Sequence, residues 1–182
     1  FENLSFELNS GEVLKISGPN GSGKTSFMKI LAGLHSYETG SVEYGDAKIN
    51  SEKYNLDFLY QGHLSALSPE LSCLENLKYL AQLGNNNHNL DFSGALKKVG
   101  LEKFKNELVG KLSAGQKKRI VLSLLFITQS KVWLLDEPFS ALDSKAIKII
   151  ETRIEDHCNS GGLCILTTHQ ECNIKNIKEI SL

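Results

Sequence analysis

No apolar run in this chain approaches the roughly 20 residues that a helix needs to cross a bilayer, and its opening residues carry no signal-peptide pattern. If a membrane is involved, another chain must provide it. A surplus of one charge is missing too. Twenty Lys and Arg stand against 21 Asp and Glu, for a net charge of −1, and the lysines are scattered rather than striped along one face. That balance leaves no electrostatic footprint for nucleic acid, and none is expected as a partner. Cys73, Cys158, Cys164 and Cys172 fall at irregular spacings without a CxxC, which argues against a zinc or disulfide framework and suits a reducing compartment. A length of 182 residues gives one sizeable core and no room for a second full domain.

What is present centres on Gly18-Pro19-Asn20-Gly21-Ser22-Gly23-Lys24-Thr25. The stretch follows a strand-like run over 12–17 and opens into a helical pattern, Ser26 to Ala32, that stops at Gly33. Strand, G-x-x-x-x-G-K-[ST] and helix in that order make a phosphate loop. Its glycines let backbone N–H groups converge, the helix start adds unpaired donors, Lys24 reaches the β- and γ-phosphates, and the Thr25 hydroxyl is placed for Mg²⁺.

Upstream, alternation from Leu4 to Leu8, a turn at Asn9-Ser10-Gly11 and the strand 12–17 predict a hairpin. The chain opens at Phe1 rather than Met, inside that first run, so part of an N-terminal strand is expected to be absent. Downstream, 40–45 predicts a short strand and turn, and 56–60 an apolar strand running into Gln61-Gly62-His63. From about 64 to 112 the pattern turns helical, with Leu74, Leu77, Leu80 and Ala81, a polar loop, then Ala95, Leu96, Val99 and Leu101. The expectation is one α/β domain with its core at about 1–63 and 113–182, an N-terminal antiparallel β element and a helical insertion at about 64–112.

Ser113-Ala114-Gly115-Gln116 has the spacing of a capping box, followed by Lys117, Lys118 and Arg119 in a first turn where cations oppose the helix dipole. Such a local conflict marks a site. Lys131 to Asp136 reads as a fully buried parallel strand ending in Asp136-Glu137, and Pro138 forces the chain out of it. Asp136 is placed to hold Mg²⁺ and Glu137 to orient or deprotonate water. A helix through Ile147, Ile150 and Ile154, a strand over 163–167, His169 at its carboxyl end and a last short strand at 180–182 complete the pattern.

These motifs, in this order, resemble the ATP-binding subunit of an ABC transporter. The turn Leu112-Ser113-Ala114-Gly115-Gln116 matches the signature that separates that family from other phosphate-loop proteins. Leu134-Leu135-Asp136-Glu137-Pro138-Phe139 and Leu166-Thr167-Thr168-His169-Gln170 look most like ATPases of the haem exporters of bacterial cytochrome c maturation. The resemblance implies that residues Gly18 to Ser26 bind ATP and that Thr25 and Asp136 hold Mg²⁺. It implies Glu137 as the catalytic base, with Lys24 and His169 on the phosphates and Asp143 at a subunit boundary. Leu112 to Gln116 would act on ATP held by a second copy, in an ATP-dependent dimer docked on integral membrane permease subunits at the cytoplasmic face of the inner membrane. Two departures stand out. His63 falls where the family has a glutamine, with Gln61 two residues earlier, and the aromatic that stacks on adenine would lie upstream of Phe1. The rival readings are another small exporter's ATPase, a soluble ABC-type ATPase acting on DNA or ribosomes, and a phosphate-loop kinase or GTPase. Lys24 and Ser113 are too close for a coiled-coil arm, and a kinase leaves Ser113 to Gln116 unexplained.

Overall fold

Five strands lie side by side, all parallel, in the order β4-β5-β6-β1-β7. They are β1 (Val13–Ser17), β4 (Phe58–Gln61), β5 (Val132–Asp136), β6 (Leu163–Thr167) and β7 (Ile177–Ser181). The structure, a computed structural model, describes residues 4–49, 51–62, 66–83 and 90–182. Buried β5 alternates between the two faces of the sheet, as a period of two requires. Trp133 and Leu135 join one apolar cluster with Leu166, Ile120 and Phe139, whereas Val132 and Leu134 join the other with Leu14, Ile16, Phe27 and Met28. The second cluster is closed by α1 (Lys24–Leu31) and the first by the remaining larger helices. Helices on both faces account for the near-continuous apolar runs of the central strands.

Between β1 and β4 the chain forms α1, the two-residue ladder of β2 (Glu43–Tyr44) with β3 (Ala47–Lys48), and α2 (Glu52–Asp57). Between β4 and β5 come α3 (Cys73–Leu83), α4 (Phe92–Lys98) and α5 (Ala114–Leu122), which tightens into a 3₁₀ turn at Ser123–Phe126. The expected insertion does not make its own core, because Leu77, Ala81, Ala95 and Leu96 share one cluster with Trp133. Asn76, 1% exposed, pins its entry by accepting from the Ser68 N–H and donating to the carbonyls of Ser68, Leu71 and Ser72.

The long helix α6 (Ser144–Asn159) follows β5. Asp143 caps it by accepting from the Ala146 N–H at 2.7 Å. Further along, Glu151 accepts from the backbone N–H of Asn173, and Glu155 accepts from that of Lys175. One helix therefore grips the chain both before its own start and beyond β6.

Three expectations need correction. Leu4 to Leu8 is not a strand. Leu4 and Leu8 pack on the second cluster, Phe6 sits 5.8 Å from the Phe27 ring, and the Gly11 N–H bonds to Gly162 rather than closing a hairpin. Antiparallel pairing among the described residues is confined to β2–β3 and a single bridge between Ser72 and Leu108. Leu56 and Asp57 belong to α2, because the Ser51 side chain caps that helix and its chain becomes extended only at Phe58. The last strand also begins earlier than expected, at Ile177.

Candidate functional site

Backbone geometry at the phosphate loop demands glycine. Gly23 caps α1 with φ 100°, and at Gly18, with φ 141°, a Cβ would come within 2.7 Å of the Leu182 carbonyl oxygen. Lys24, 9% exposed, folds back over the loop and donates to the carbonyls of Gly18 at 2.8 Å and Pro19 at 2.9 Å. These are weak enough partners for an ammonium to exchange for phosphate oxygens. One residue on, Thr25 Oγ1 donates to Asp136 Oδ2 at 2.9 Å, joining the first turn of α1 to the end of β5.

Strand alternation alone would point Glu137 away from Asp136. Instead β5 ends at Asp136 and Glu137 takes φ 48°. That left-handed step brings both carboxylates onto one cavity of about 640 Å³, shared with Asn20, Gly21, Gly23, Lys24, Thr25, Ser26 and His169. Glu137 Oε2 accepts from the His169 backbone N–H at 3.4 Å, and Oε1 lies 3.5 Å from His169 Nε2. Thr25 and Asp136 offer hard oxygen donors in contact, while among the described residues no three His, Cys, Asp or Glu side chains converge as a cage. This donor set fits Mg²⁺, which takes one or two protein oxygens and leaves the rest to phosphate and water.

The capping box forms as expected: the Gln116 N–H donates to Ser113 Oγ at 3.2 Å, and Gln116 Oε1 accepts from the Ser113 N–H at 2.9 Å. Ser113 and Ala114 are exposed, Gly115 and Gln116 half-buried, and Leu112 is buried beneath them. None of the five lines the cavity, but Gly115 abuts the carbonyl of Ala141, which does. Asp143 is exposed at the cap of α6. Gln61, 6% exposed, ends β4 beside Leu135 with its Nε2 unpartnered among the described residues. His63 lies outside the described residues.

The basic turn is only partly what its sequence suggests. Arg119 donates to the Val99 carbonyl at 3.4 Å, and Lys118 is 5% exposed. Two of the three cations are thus turned inward. Burial pulls the Lys118 ammonium below the usual lysine range, against the attraction of Asp136 and Glu137. Burial, aided by Asp136, pushes the Tyr60 hydroxyl up. Sequence reading missed the inward turn of Lys118 and the Tyr60 hydroxyl, and it missed Thr167, whose hydroxyl reaches Asp136 and Glu137 together. The one available signal was that Thr167 stands at a strand end two residues before His169.

Residues 1–140 match a family model described as ABC transporter. The chain is 43% identical over 176 residues to the cytochrome c biogenesis ATP-binding export protein CcmA of Shewanella frigidimarina, covering 96% of this chain and 81% of the relative. The protein of the same name in Haemophilus influenzae is 39% identical over 185 residues, covering 100% and 87%. In fold, the chain is similar to a putative ABC transporter ATP-binding protein from Pyrococcus furiosus, at a TM-score of 0.81, 23% identity and coverage of 96% and 86%. It is also similar to a dimeric ATP-binding cassette in a post-hydrolysis state bound to ADP and Pi, at a TM-score of 0.78, 24% identity and coverage of 91% and 78%.

Proposed function

The chain belongs to the ABC transporter family as an ATP-hydrolysing subunit, and from that premise we propose that it drives export of haem for cytochrome c assembly in a bacterium. The haem reading leans on the relatives' name, since c-type cytochromes carry haem. Two copies would close on two ATP molecules, each copy holding one nucleotide at its phosphate loop and presenting Ser113 to Gln116 to the other's. Integral membrane subunits would carry the cargo path, with the ATPase peripheral on the cytoplasmic face. Among the described residues no helix is long and apolar enough to cross a membrane.

In this mechanism Lys24 gives up the Gly18 and Pro19 carbonyls for phosphate oxygens, while the loop amides hold the remaining charge. Thr25 and Asp136 hold Mg²⁺, which when bound neutralises charge on the phosphates. Glu137 orients the attacking water and takes its proton, and His169, already beside Glu137, contacts the γ-phosphate. Asp143 lies at the boundary between copies. The work is positioning and electrostatics. The observation that carries the paired-site reading is the exposed, capped turn at Ser113, which stands outside its own chain's cavity yet abuts the loop that lines it.

Glu137→Gln tests the reading. The variant should bind MgATP, lose turnover by about 10²-fold or more, and run as a dimer on sizing with MgATP. Near-normal hydrolysis would remove Glu137 as the base. Only monomers would mean that the second ATPase is a different chain or that the permease must be present. Co-purification from detergent-solubilised membranes, with haem-stimulated ATPase in the recovered assembly, tests the cargo.

A further inference from the structure

At the carboxyl end of β6, parallel pairing puts Thr167 directly beside Asp136 of β5 on one side and Ile16 of β1 on the other. Thr167 is fully buried. Its hydroxyl donates to Asp136 Oδ1 at 2.7 Å and accepts from the backbone N–H of Glu137 at 3.0 Å. An ionised carboxylate only accepts and an amide only donates, so the single hydroxyl proton has one direction open to it and both partners are satisfied at once. The other carboxylate oxygen of Asp136 takes the Thr25 hydroxyl at 2.9 Å. Asp136 is therefore held by two hydroxyls, one on each oxygen, which leaves it a fixed orientation rather than a free rotor.

The second bond falls where the chain most needs it. Glu137 has just left the sheet and stands at φ 48°, a region that L residues enter only when their surroundings hold them there. Its N–H has lost a strand partner, and the Thr167 hydroxyl replaces it. Without that bond the step that returns Glu137 to the side of Asp136 has one backbone restraint fewer, leaving the turn that Ser140 makes back to the Glu137 carbonyl and the contacts of the Glu137 carboxylate with His169. The neighbouring Thr168 hydroxyl is engaged elsewhere, accepting from the Gln170 N–H.

We propose that Thr167 is a positioning residue for ATP hydrolysis: one buried hydroxyl orients the cation-holding carboxylate of Asp136 and locks the backbone step that delivers Glu137. It acts through those two residues and touches neither nucleotide nor metal. The proposal rests on the roles given to Asp136 and Glu137 above.

Three variants test it. Thr167→Val keeps the shape and removes the hydroxyl, Thr167→Ser keeps the hydroxyl, and Glu137→Gln reports on the underlying reading. For Thr167→Val, kcat should fall about 10- to 100-fold, while ATP binding in EDTA, which depends on the phosphate loop, stays as in wild type. In the non-hydrolysing Glu137→Gln background, Mn²⁺ bound with ATP and followed by its electron paramagnetic resonance signal should weaken about 10-fold or more on adding Thr167→Val. Thr167→Ser should stay within about 3-fold of wild type on every measure, a gap far smaller than one lost bond to a charged group. Normal kcat and normal Mn²⁺ affinity in Thr167→Val, with Glu137→Gln inactive, overturn the positioning role alone. An active Glu137→Gln overturns the reading beneath it. If Thr167→Val does not fold, Thr167→Ser and Thr167→Cys make the same comparison, differing only in oxygen against sulfur. Indistinguishable Ser and Cys variants overturn the proposal, and a deficient Cys variant beside a competent Ser variant supports it.

Discussion

Replacing Gly115 by alanine sets a steric effect against a propensity effect of opposite sign. A Cβ built there lies 2.5 Å from the Ala141 carbonyl oxygen, a backbone atom. The two segments must part by about 0.9 Å or more before ordinary contact is restored. The 138–143 loop is poorly placed to yield. Ser140 is bonded to the Glu137 carbonyl at 3.0 Å, Ala141 already stands at φ 61°, and Asp143 is committed to the cap of α6. Overpacking of this kind costs about 1–3 kcal/mol, whereas alanine in the first turn of a helix recovers at most about 1 kcal/mol over glycine. At the middle of that range the clash wins by about 1 kcal/mol, which for a chain of 182 residues lowers the thermal midpoint by about 2–4 °C. Calorimetry without nucleotide measures it. Sizing of the Glu137→Gln form with MgATP should show weaker dimerisation once Gly115→Ala is added, because the turn proposed to meet a second copy is displaced. A midpoint equal to or above that of wild type would mean that helix propensity alone decides, and the Gly115–Ala141 contact would have to be abandoned.

Two further outcomes concern buried titratable groups. Lys118→Met should raise the thermal midpoint near neutral pH, by about 1–3 kcal/mol in stability, because the ammonium is 5% exposed and lacks a hydrogen-bond partner among the described residues. Its folded pKa lies below the unfolded 10.5, so wild type regains stability as pH rises toward that value and the advantage of the variant narrows. An advantage that stays constant up to that pH counts against a buried charge. His157 is stacked on Trp133 at 3.7 Å with Nε2 3.1 Å from the Lys131 carbonyl, and burial lowers its pKa from 6.5. Its neutral form contributes stability that is fully present above 6.5 and is lost as pH falls below it, at up to about 1.4 kcal/mol per pH unit. His157→Phe keeps the stack and leaves the Lys131 carbonyl its bond from Leu163, so its midpoint should fall less than that of wild type on acidification through this window. Parallel melting curves for the two proteins across the window would rule it out.

The phosphate loop, the capping box and the strand ending in Asp136 were legible because each is written in consecutive residues with a local physical demand. The capping box needs only Ser113 and Gln116 at the right spacing, and both bonds form. Misreadings arose where distant partners decide. The Leu4 to Leu8 alternation is satisfied by packing against the second cluster, without any strand neighbour. At Leu56, the Ser51 cap and the stacking of Tyr54 on Phe58 at 3.9 Å favour a helical turn over two more residues of strand. Thr167 could not be found from its neighbours, since its partners lie 30 and 31 positions away and meet it only through sheet register. The inward turn of Lys118 is equally invisible in a run of three basic residues.

Helix α6 has 16 residues, hence a length of about 24 Å. One tip is fastened to the bend after Glu137 through Asp143, and its flank is fastened through Glu151 and Glu155 to the chain that leaves His169. Two walls of the same chamber are thereby mounted on a single stiff beam, so neither wall can shift far without straining its ties to that beam.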